Sequence, residues 1–205
     1  MHDKTITMID YGGSNLRSAQ KAFEFIGADV HLTSNPEDVL KAGKLTLPGV
    51  GAFGSGMAAV RERNLEEAIH AAVVKGTPLL GICIGMQFLF DESDEMGIHK
   101  GLGLIPGRVT RFPASSLKVP HMGWNQLEFD EQHPLLAHVA SGSHAYFVHS
   151  YHCIPRDNND IVAHTDYGGP FTAIVRHGNV FGLQFHPEKS QQTGLQIIRN
   201  YVELM

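Results

Sequence analysis

The chain contains little cysteine and no long apolar segment. Cys83 and Cys153 are the only cysteines among 205 residues, and they lack CxxC spacing. This usage does not support a disulfide framework and is typical of a reducing cytosol. No apolar run approaches the ~20 residues that a membrane-spanning helix needs, and the first residues lack the regions of a signal peptide. We therefore expect a cytoplasmic protein that does not associate with membranes.

Positive charge is also scarce. The formal net charge is −5, and lysines and arginines form no local cluster, so nucleic-acid binding is disfavoured. The sequence has no internal repeat, no low-complexity tract and no linker rich in proline, glycine or serine. With 42% hydrophobic and 18% charged residues, its composition is that of an ordinary globular protein. We expect residues 1–205 to form a single domain.

The order of apolar segments predicts an α/β fold. Strand patterns at residues 4–9, 30–33, 44–47 and 77–82 alternate with helical patterns, as in an open, mostly parallel sheet. After residue 101 the pattern changes to short strands with turns, including a hairpin turn at residues 176–179, which predicts antiparallel additions in the C-terminal half. Leu195, Ile198 and Val202 predict a terminal helix.

A cysteine between two glycines is the first candidate for chemistry. Residues 81–85 read Gly-Ile-Cys-Ile-Gly and lie between the apolar strand at 77–82 and a helix predicted at 86–90. A sharp turn there would strain the backbone of Cys83, and the glycines would leave it space. The helix N-terminus would stabilise the thiolate form. From this pentapeptide alone, a small buried hydrophobic residue is the other interpretation.

A histidine and a carboxylate near the C-terminus favour the catalytic interpretation. Residues 180–188 form a strand pattern that ends in His186-Pro187-Glu188. On an extended backbone, residues two apart point to the same side, so Glu188 could orient the imidazole that accepts a thiol proton. Pro187 would stiffen the pair.

These motifs resemble those of the class I, or triad, glutamine amidotransferases. The resemblance lies in residues 81–87 (Gly-Ile-Cys-Ile-Gly-Met-Gln) and 184–188 (Gln-Phe-His-Pro-Glu). The stretches at 9–18, 47–54, 119–125 and 146–151 are further similar to glutaminase subunits that supply ammonia to a (β/α)8-barrel cyclase in histidine biosynthesis. The resemblance runs from residue 4 to the C-terminus and implies a three-layer sheet fold.

The resemblance also implies roles for individual residues. Cys83 would attack the carboxamide of L-glutamine, His186 would carry the proton, and Glu188 would orient the ring. No cofactor is implied, and the cyclase subunit would form a heterodimer with this chain. Two further groups are implied, the glutamine-binding residues Gly51, Gln87, His149, Ser150 and Tyr151, and the partner-coupling residues Asn15 and Lys189.

The tetrahedral oxyanion of amide hydrolysis requires backbone donors. The amide of Ile84, directly after the nucleophile, is one candidate. The second should come from the turn at residues 48–51, where proline has no amide hydrogen, which leaves Val50 or Gly51. A simple tight loop or a weak phosphate cradle is the alternative for this turn, but the GxxxxGK[ST] spacing is missing.

A metal site is the other option for a chain with 13 histidines. His149, His152 and Cys153 are close in sequence, but on one strand the two histidines would point to opposite faces. We therefore expect no metal and interpret Cys153 as a packed core thiol. Other functions stay open: a glutaminase for another synthase, such as the one that makes pyridoxal phosphate, a cysteine peptidase or esterase, or a non-catalytic module.

Overall fold

The computed structural model describes residues 4–13, 15–113, 117–130 and 133–205. Residue 14, part of the motif at 9–18, lies outside them. The strands are β1 (Thr5–Ile9), β2 (Asp29–Thr33), β3 (Leu45–Gly49), β4 (Leu79–Cys83), β5 (Phe90–Ser93), β6 (His99–Lys100), β7 (Ile105–Arg111), β8 (His121–Gln126), β9 (His144–His149), β10 (Tyr151–Pro155), β11 (Ile161–Asp166), β12 (Pro170–His177) and β13 (Val180–Leu183). The helices are α1 (Leu16–Phe25), α2 (Pro36–Lys41), α3 (Phe53–Glu62), α4 (Leu65–Val74), α5 (Ile84–Phe88) and α6 (Gln191–Leu204).

A seven-stranded sheet forms the centre of the molecule, in the order β11-β12-β13-β4-β3-β1-β2. The five strands from β13 to β2 run parallel, whereas β12 and β11 are antiparallel additions. A second sheet has four strands in the order β10-β7-β5-β6, and β8 pairs with β9 in a two-stranded ribbon. Apart from β5 and β6, these strands belong to the C-terminal half of the chain. The α/β class and the antiparallel additions are therefore as the sequence predicts.

Helices cover the central sheet on two sides. Buried residues of α1 and α6, such as Phe23 and Tyr201, belong to one apolar cluster. Buried residues of α3, α4 and α5, such as Phe53, Ile69 and Phe88, belong to a second. Burial of apolar area on both faces stabilises this layered arrangement. In the described part of the chain, no helix is both long and apolar enough to cross a membrane.

Three local predictions were wrong. Residues 48 and 49 do not form a turn, because they complete β3. The helix after the candidate nucleophile ends at Phe88, and Phe90 already begins β5. Helix α3 was missed, since Gly54 and Gly56 near its start lower the helix propensity of that segment.

Candidate active site

Cys83 occupies a strained turn between β4 and α5. Its backbone has φ 56° and ψ −113°, a conformation that residues with a side chain rarely adopt. A Cβ added at Gly85 would lie 1.7 Å from the carbonyl oxygen of Leu47, and one at Gly81 would lie 2.6 Å from that of Gly85. Both glycines are therefore required by sterics, and the turn presents the thiol at the start of a helix.

His186 and Glu188 form a buried pair. His186 Nδ1 lies 2.9 Å from Glu188 Oε1, and the two side chains are only 2% and 3% exposed. A carboxylate only accepts, so Nδ1 carries a hydrogen and donates it. The sequence placed this pair on an extended backbone, which is incorrect, because residues 187–189 form a 3-10 turn (Pro187–Lys189). The turn nevertheless brings the two side chains together.

The surroundings of His186 and Glu188 shift the pKa values of both side chains. Burial would lower the pKa of His186, but its interactions with Cys83 and Glu188 outweigh burial and raise the pKa to about 10. Burial would raise the pKa of Glu188, but the hydrogen bond and positive charge of His186 hold it below its usual value. The imidazole is thus poised to accept a proton from a neighbouring thiol, with a carboxylate to stabilise the resulting cation.

Cys83 and His186 open into one cavity of about 270 Å³. This volume is just below the usual range for ligand sites, which is about 300–1,000 Å³. Nine of the ten residues predicted for catalysis, the oxyanion and glutamine binding line it: Val50, Gly51, Cys83, Ile84, Gln87, His149, Ser150, Tyr151 and His186. The tenth, Glu188, lies behind His186. Four other surface cavities formed by the described residues contain neither Cys83 nor His186.

The two predicted oxyanion segments meet because their strands are neighbours. In the register of β3 with β4, Gly49 pairs with Cys83, so Val50 follows directly beside the nucleophile. A Cβ at Gly49 would lie 1.8 Å from the hydroxyl oxygen of Tyr11. Glycine is thus the residue that lets β3 end so close to Tyr11.

Gln87 supports another part of the cavity wall. Its side chain is buried and does not face solvent. Its Nε2 donates to the carbonyl oxygen of Tyr151 at 3.1 Å and to Gln184 Oε1 at 3.3 Å. The Nδ1 of His149 lies 2.8 Å from the same Tyr151 oxygen. These contacts fix the turn that joins β9 to β10.

The two predicted partner-coupling residues lie outside the cavity. Asn15 Nδ2 donates to Glu188 Oε1 at 2.8 Å, the oxygen that also accepts from His186. Lys189 is exposed, and its Nζ lies 5.8 Å from the centre of the Tyr146 ring. Asn15 is therefore a direct neighbour of the candidate catalytic carboxylate.

Three lining residues were not predicted: Glu95, Pro120 and Val148. Glu95 Oε2 accepts from the backbone amide of Phe53 at 2.6 Å, a contact across 42 residues that no local pattern signals. Pro120 and Val148 belong to stretches that carry the family resemblance, so their position could have been suspected from that resemblance.

The positions of His149, His152 and Cys153 bear on the alternative of a metal site. Ser150 separates β9, which ends at His149, from β10, so His149 and His152 do not share one strand, contrary to the prediction. Over residues 4–13, 15–113, 117–130 and 133–205, no three His, Cys, Asp or Glu side chains are arranged to hold a metal ion. Cys153 is 1% exposed and packs in the core, as predicted.

An elbow cysteine with a buried histidine–carboxylate pair at the carboxyl ends of parallel strands defines a cysteine-dependent amidotransferase or hydrolase site. The family model "Glutamine amidotransferase class-I" matches residues 7–204. The chain therefore belongs to the class-I glutamine amidotransferase family.

Comparison with curated proteins shows similarity to one particular kind of subunit within this family. The chain is 48% identical over 204 residues to imidazole glycerol phosphate synthase subunit HisH of Salinibacter ruber, covering 97% of this chain and 94% of that protein. It is 50% identical over 202 residues to the HisH subunit of Geobacillus kaustophilus, covering 96% and 95%. Identity at this level extends over essentially the full length of both relatives.

Solved structures show the same fold at low sequence identity. A crystal structure of a glutamine amidotransferase aligns with a TM-score of 0.75 at 19% identity, covering 96% of this chain and 97% of that one. PurLQS from Thermotoga maritima aligns with a TM-score of 0.75 at 21% identity, covering 98% and 97%. These likenesses support the three-layer fold that the sequence motifs imply.

Proposed function

We propose that this chain is the glutaminase subunit of an imidazole glycerol phosphate synthase. It hydrolyses L-glutamine to glutamate and ammonia and delivers the ammonia to a (β/α)8-barrel cyclase subunit for histidine biosynthesis. The observation that carries the proposal is the 2.9 Å contact of Glu188 with His186, a residue that lines the same cavity as Cys83. The names of the curated relatives support the choice of synthase.

The first half of the reaction forms a thioester. The Cys83 thiol transfers its proton to His186, and the sulfur attacks the side-chain carbonyl carbon of glutamine. The imidazolium, stabilised by the Glu188 carboxylate, then gives the proton to the departing nitrogen, so that ammonia leaves. The product on the enzyme is a glutamyl thioester at Cys83.

The second half of the reaction regenerates the thiol. His186 removes a proton from a water molecule, whose oxygen attacks the thioester carbonyl. The carbon–sulfur bond breaks, the thiolate regains a proton from the imidazolium, and glutamate leaves. In both halves the negative charge on the carbonyl oxygen would be stabilised by the backbone amides of Ile84 and Val50, which lie beside Cys83.

The substrate would occupy the remainder of the cavity. Gly51 and the turn at His149, Ser150 and Tyr151 line it together with the nucleophile, and Gln87 holds that turn. We assign these residues to glutamine binding. We further propose a cytoplasmic location, a single domain over residues 1–205, and a heterodimer with the cyclase subunit in which Asn15 and Lys189 contribute to coupling.

Glutamate release by the wild-type chain with a cyclase subunit tests the proposal. Cys83→Ala should abolish glutamine-dependent product formation while leaving synthesis from free ammonia intact, because the cyclase site does not use this thiol. Cys153→Ala is the matched control, since that thiol lies in the core and outside the active-site cavity. Loss of both activities in Cys83→Ala, or turnover of peptide or ester substrates without glutamine hydrolysis, would contradict it.

A further inference from the structure

A chain of hydrogen bonds runs from the cavity wall into the β8-β9 ribbon. His149 Nδ1 lies 2.8 Å from the carbonyl oxygen of Tyr151, and His149 Nε2 lies 3.1 Å from His121 Nδ1. His121 Nε2 lies 3.3 Å from Asn125 Nδ2, which also donates to the carbonyl oxygen of Asp166 at 2.8 Å. His121 itself does not line the cavity.

The groups at the two ends of this series of hydrogen bonds determine where each hydrogen lies. A carbonyl oxygen only accepts, so His149 Nδ1 must carry a hydrogen. At the other end, the Asn125 amide nitrogen only donates, so His121 Nε2 is an acceptor and the hydrogen of His121 lies on Nδ1. His121 Nδ1 therefore donates to His149 Nε2, which is the acceptor of that contact. Both rings are therefore neutral with the hydrogen on Nδ1, and the chain has one direction.

The surroundings keep both rings neutral. Aromatic rings pack around the pair, with centres 4.1 to 6.4 Å away: Phe112, Phe147, Tyr167 and Phe171. Burial lowers the pKa of His149 to about 3 and that of His121 to about 4. A charged His149 would also place two donors face to face across the 3.1 Å contact, and a charged His121 would do so across its 3.3 Å contact with the Asn125 amide nitrogen.

The series of hydrogen bonds ends at the turn that lines the substrate cavity. The Tyr151 oxygen accepts from His149 Nδ1 and from Gln87 Nε2, so both of its lone pairs are used. That oxygen is therefore an anchor for the turn at residues 149–151. The position of the anchor depends on the His149 ring, and the ring's orientation depends on the donor at His121.

We propose that His121 is a positioning residue of the glutamine site, which acts through His149 on the turn at residues 149–151. The proposal rests on the proposed glutaminase function. His121 does not touch the substrate, and its task is to donate a hydrogen bond to His149 Nε2. Without this donor, a buried acceptor is left unpaired and the ring can turn away from Tyr151.

Nitrogen-15 NMR of the wild-type imidazoles tests the hydrogen positions without any assay of activity. In the chain without substrate, His121 and His149 should both show a protonated Nδ1 and an unprotonated Nε2, unchanged between about pH 6 and 8. An Nε2-protonated ring at either position, or a charged ring in this range, would overturn the proposal whether or not the chain hydrolyses glutamine.

Kinetics of three variants test the effect on substrate. In the complex with the cyclase, His121→Leu should raise KM for glutamine by about 5-fold or more, the factor for a lost buried partner, with a smaller change in kcat. In His121→Asn, the amide nitrogen occupies the place of Nδ1, and KM should return most of the way to the wild-type value. His144→Leu, at the exposed start of the same ribbon, is the control.

The outcomes separate the proposal from the function on which it rests. An inactive wild-type complex would refute the glutaminase function, whereas an active one with wild-type KM in His121→Leu would refute only the role of His121. Equal defects in the Leu and Asn variants would show that packing rather than the hydrogen bond matters. Synthesis from free ammonia should stay unchanged in all three variants.

Discussion

Replacing Asn15 by alanine removes one of the two hydrogen bonds that side chains of the described residues make to the Glu188 carboxylate. Glu188 Oε1 accepts from Asn15 at 2.8 Å and from His186 at 2.9 Å, and the side chain is 3% exposed. The second oxygen, Oε2, has no hydrogen-bond partner among the described residues. Water therefore has little access to compensate for the lost contact, and the carboxylate would be held by His186 alone.

The size of the effect follows from the charge of the acceptor. A hydrogen bond to a charged group contributes about 1.5–3 kcal/mol. If it is needed in the transition state, its loss lowers kcat/KM by about 10- to 150-fold. Asn15 also helps to lower the pKa of Glu188. Without it that pKa rises, so the carboxylate becomes protonated at a higher pH and the acidic limb of the rate profile moves upward.

Glutamate release across a pH series provides the measurement, with the chain alone and in complex with the cyclase. Asn15→Ala should lower kcat/KM and move the acidic limb in both settings. Asn159→Ala, at an exposed asparagine, is the control. A wild-type profile would show that the hydrogen bond does not support catalysis. A defect only in the complex would assign Asn15 to partner coupling, as the family resemblance implies.

Three further changes test other parts of the site. His186→Ala should lower glutamine-dependent kcat by several orders of magnitude and Glu188→Ala by less, because the ring can still accept a proton; equal losses with intact folds would contradict this order. Gly49→Ala should cost about 1–3 kcal/mol of unfolding free energy in urea, because its Cβ would meet the Tyr11 hydroxyl at 1.8 Å. Adding Tyr11→Phe should recover part of that cost, and no recovery would place the strain elsewhere. The pKa of His149 is lowered from 6.5 to about 3, so its neutral form supports stability above about pH 6.5, and this support declines as the pH falls toward 3. At about pH 5 the contribution of His149 to the free energy of unfolding should be about 2 kcal/mol smaller than at pH 7.5. An equal decline of the unfolding free energy in the His149→Gln variant would refute this contribution.

The sequence predicted features that depend on local sterics and periodicity. The strained position of Cys83 followed from glycines two residues to either side, and the structure shows that neither glycine has room for a Cβ. The position of Cys153 in the core was predicted because the sequence around it lacks the spacing of a metal site. Helix α3 was missed because its glycines oppose local propensity, and packing of Phe53 and Met57 in the core outweighs that preference.

Contacts between distant segments could not be predicted in this way. Asn15 and Glu188 are 173 residues apart, and His121 and His149 are 28 residues apart. No spacing rule links such positions, since the links are made by strand pairing and by the packing of loops. The contact between His186 and Glu188 was foreseen for a strand but is made by a 3-10 turn, so the right pair was predicted on the wrong backbone.

Strand register ultimately assembles the active site. Gly49 of β3 pairs with Cys83 of β4, and Leu183 of β13 pairs with Ile82, so three strand ends stop at one level of the sheet. Val50 and His186 lie one and three residues beyond those ends, on either side of the nucleophile. Because side chains alternate between faces, a slip of β13 by one residue would exchange the residues that it packs into the two apolar clusters, Val180 in one and Phe181 and Leu183 in the other. The strand register that stabilises the sheet therefore brings His186 and Cys83 to one cavity, where the Glu188 carboxylate holds the His186 ring at 2.9 Å.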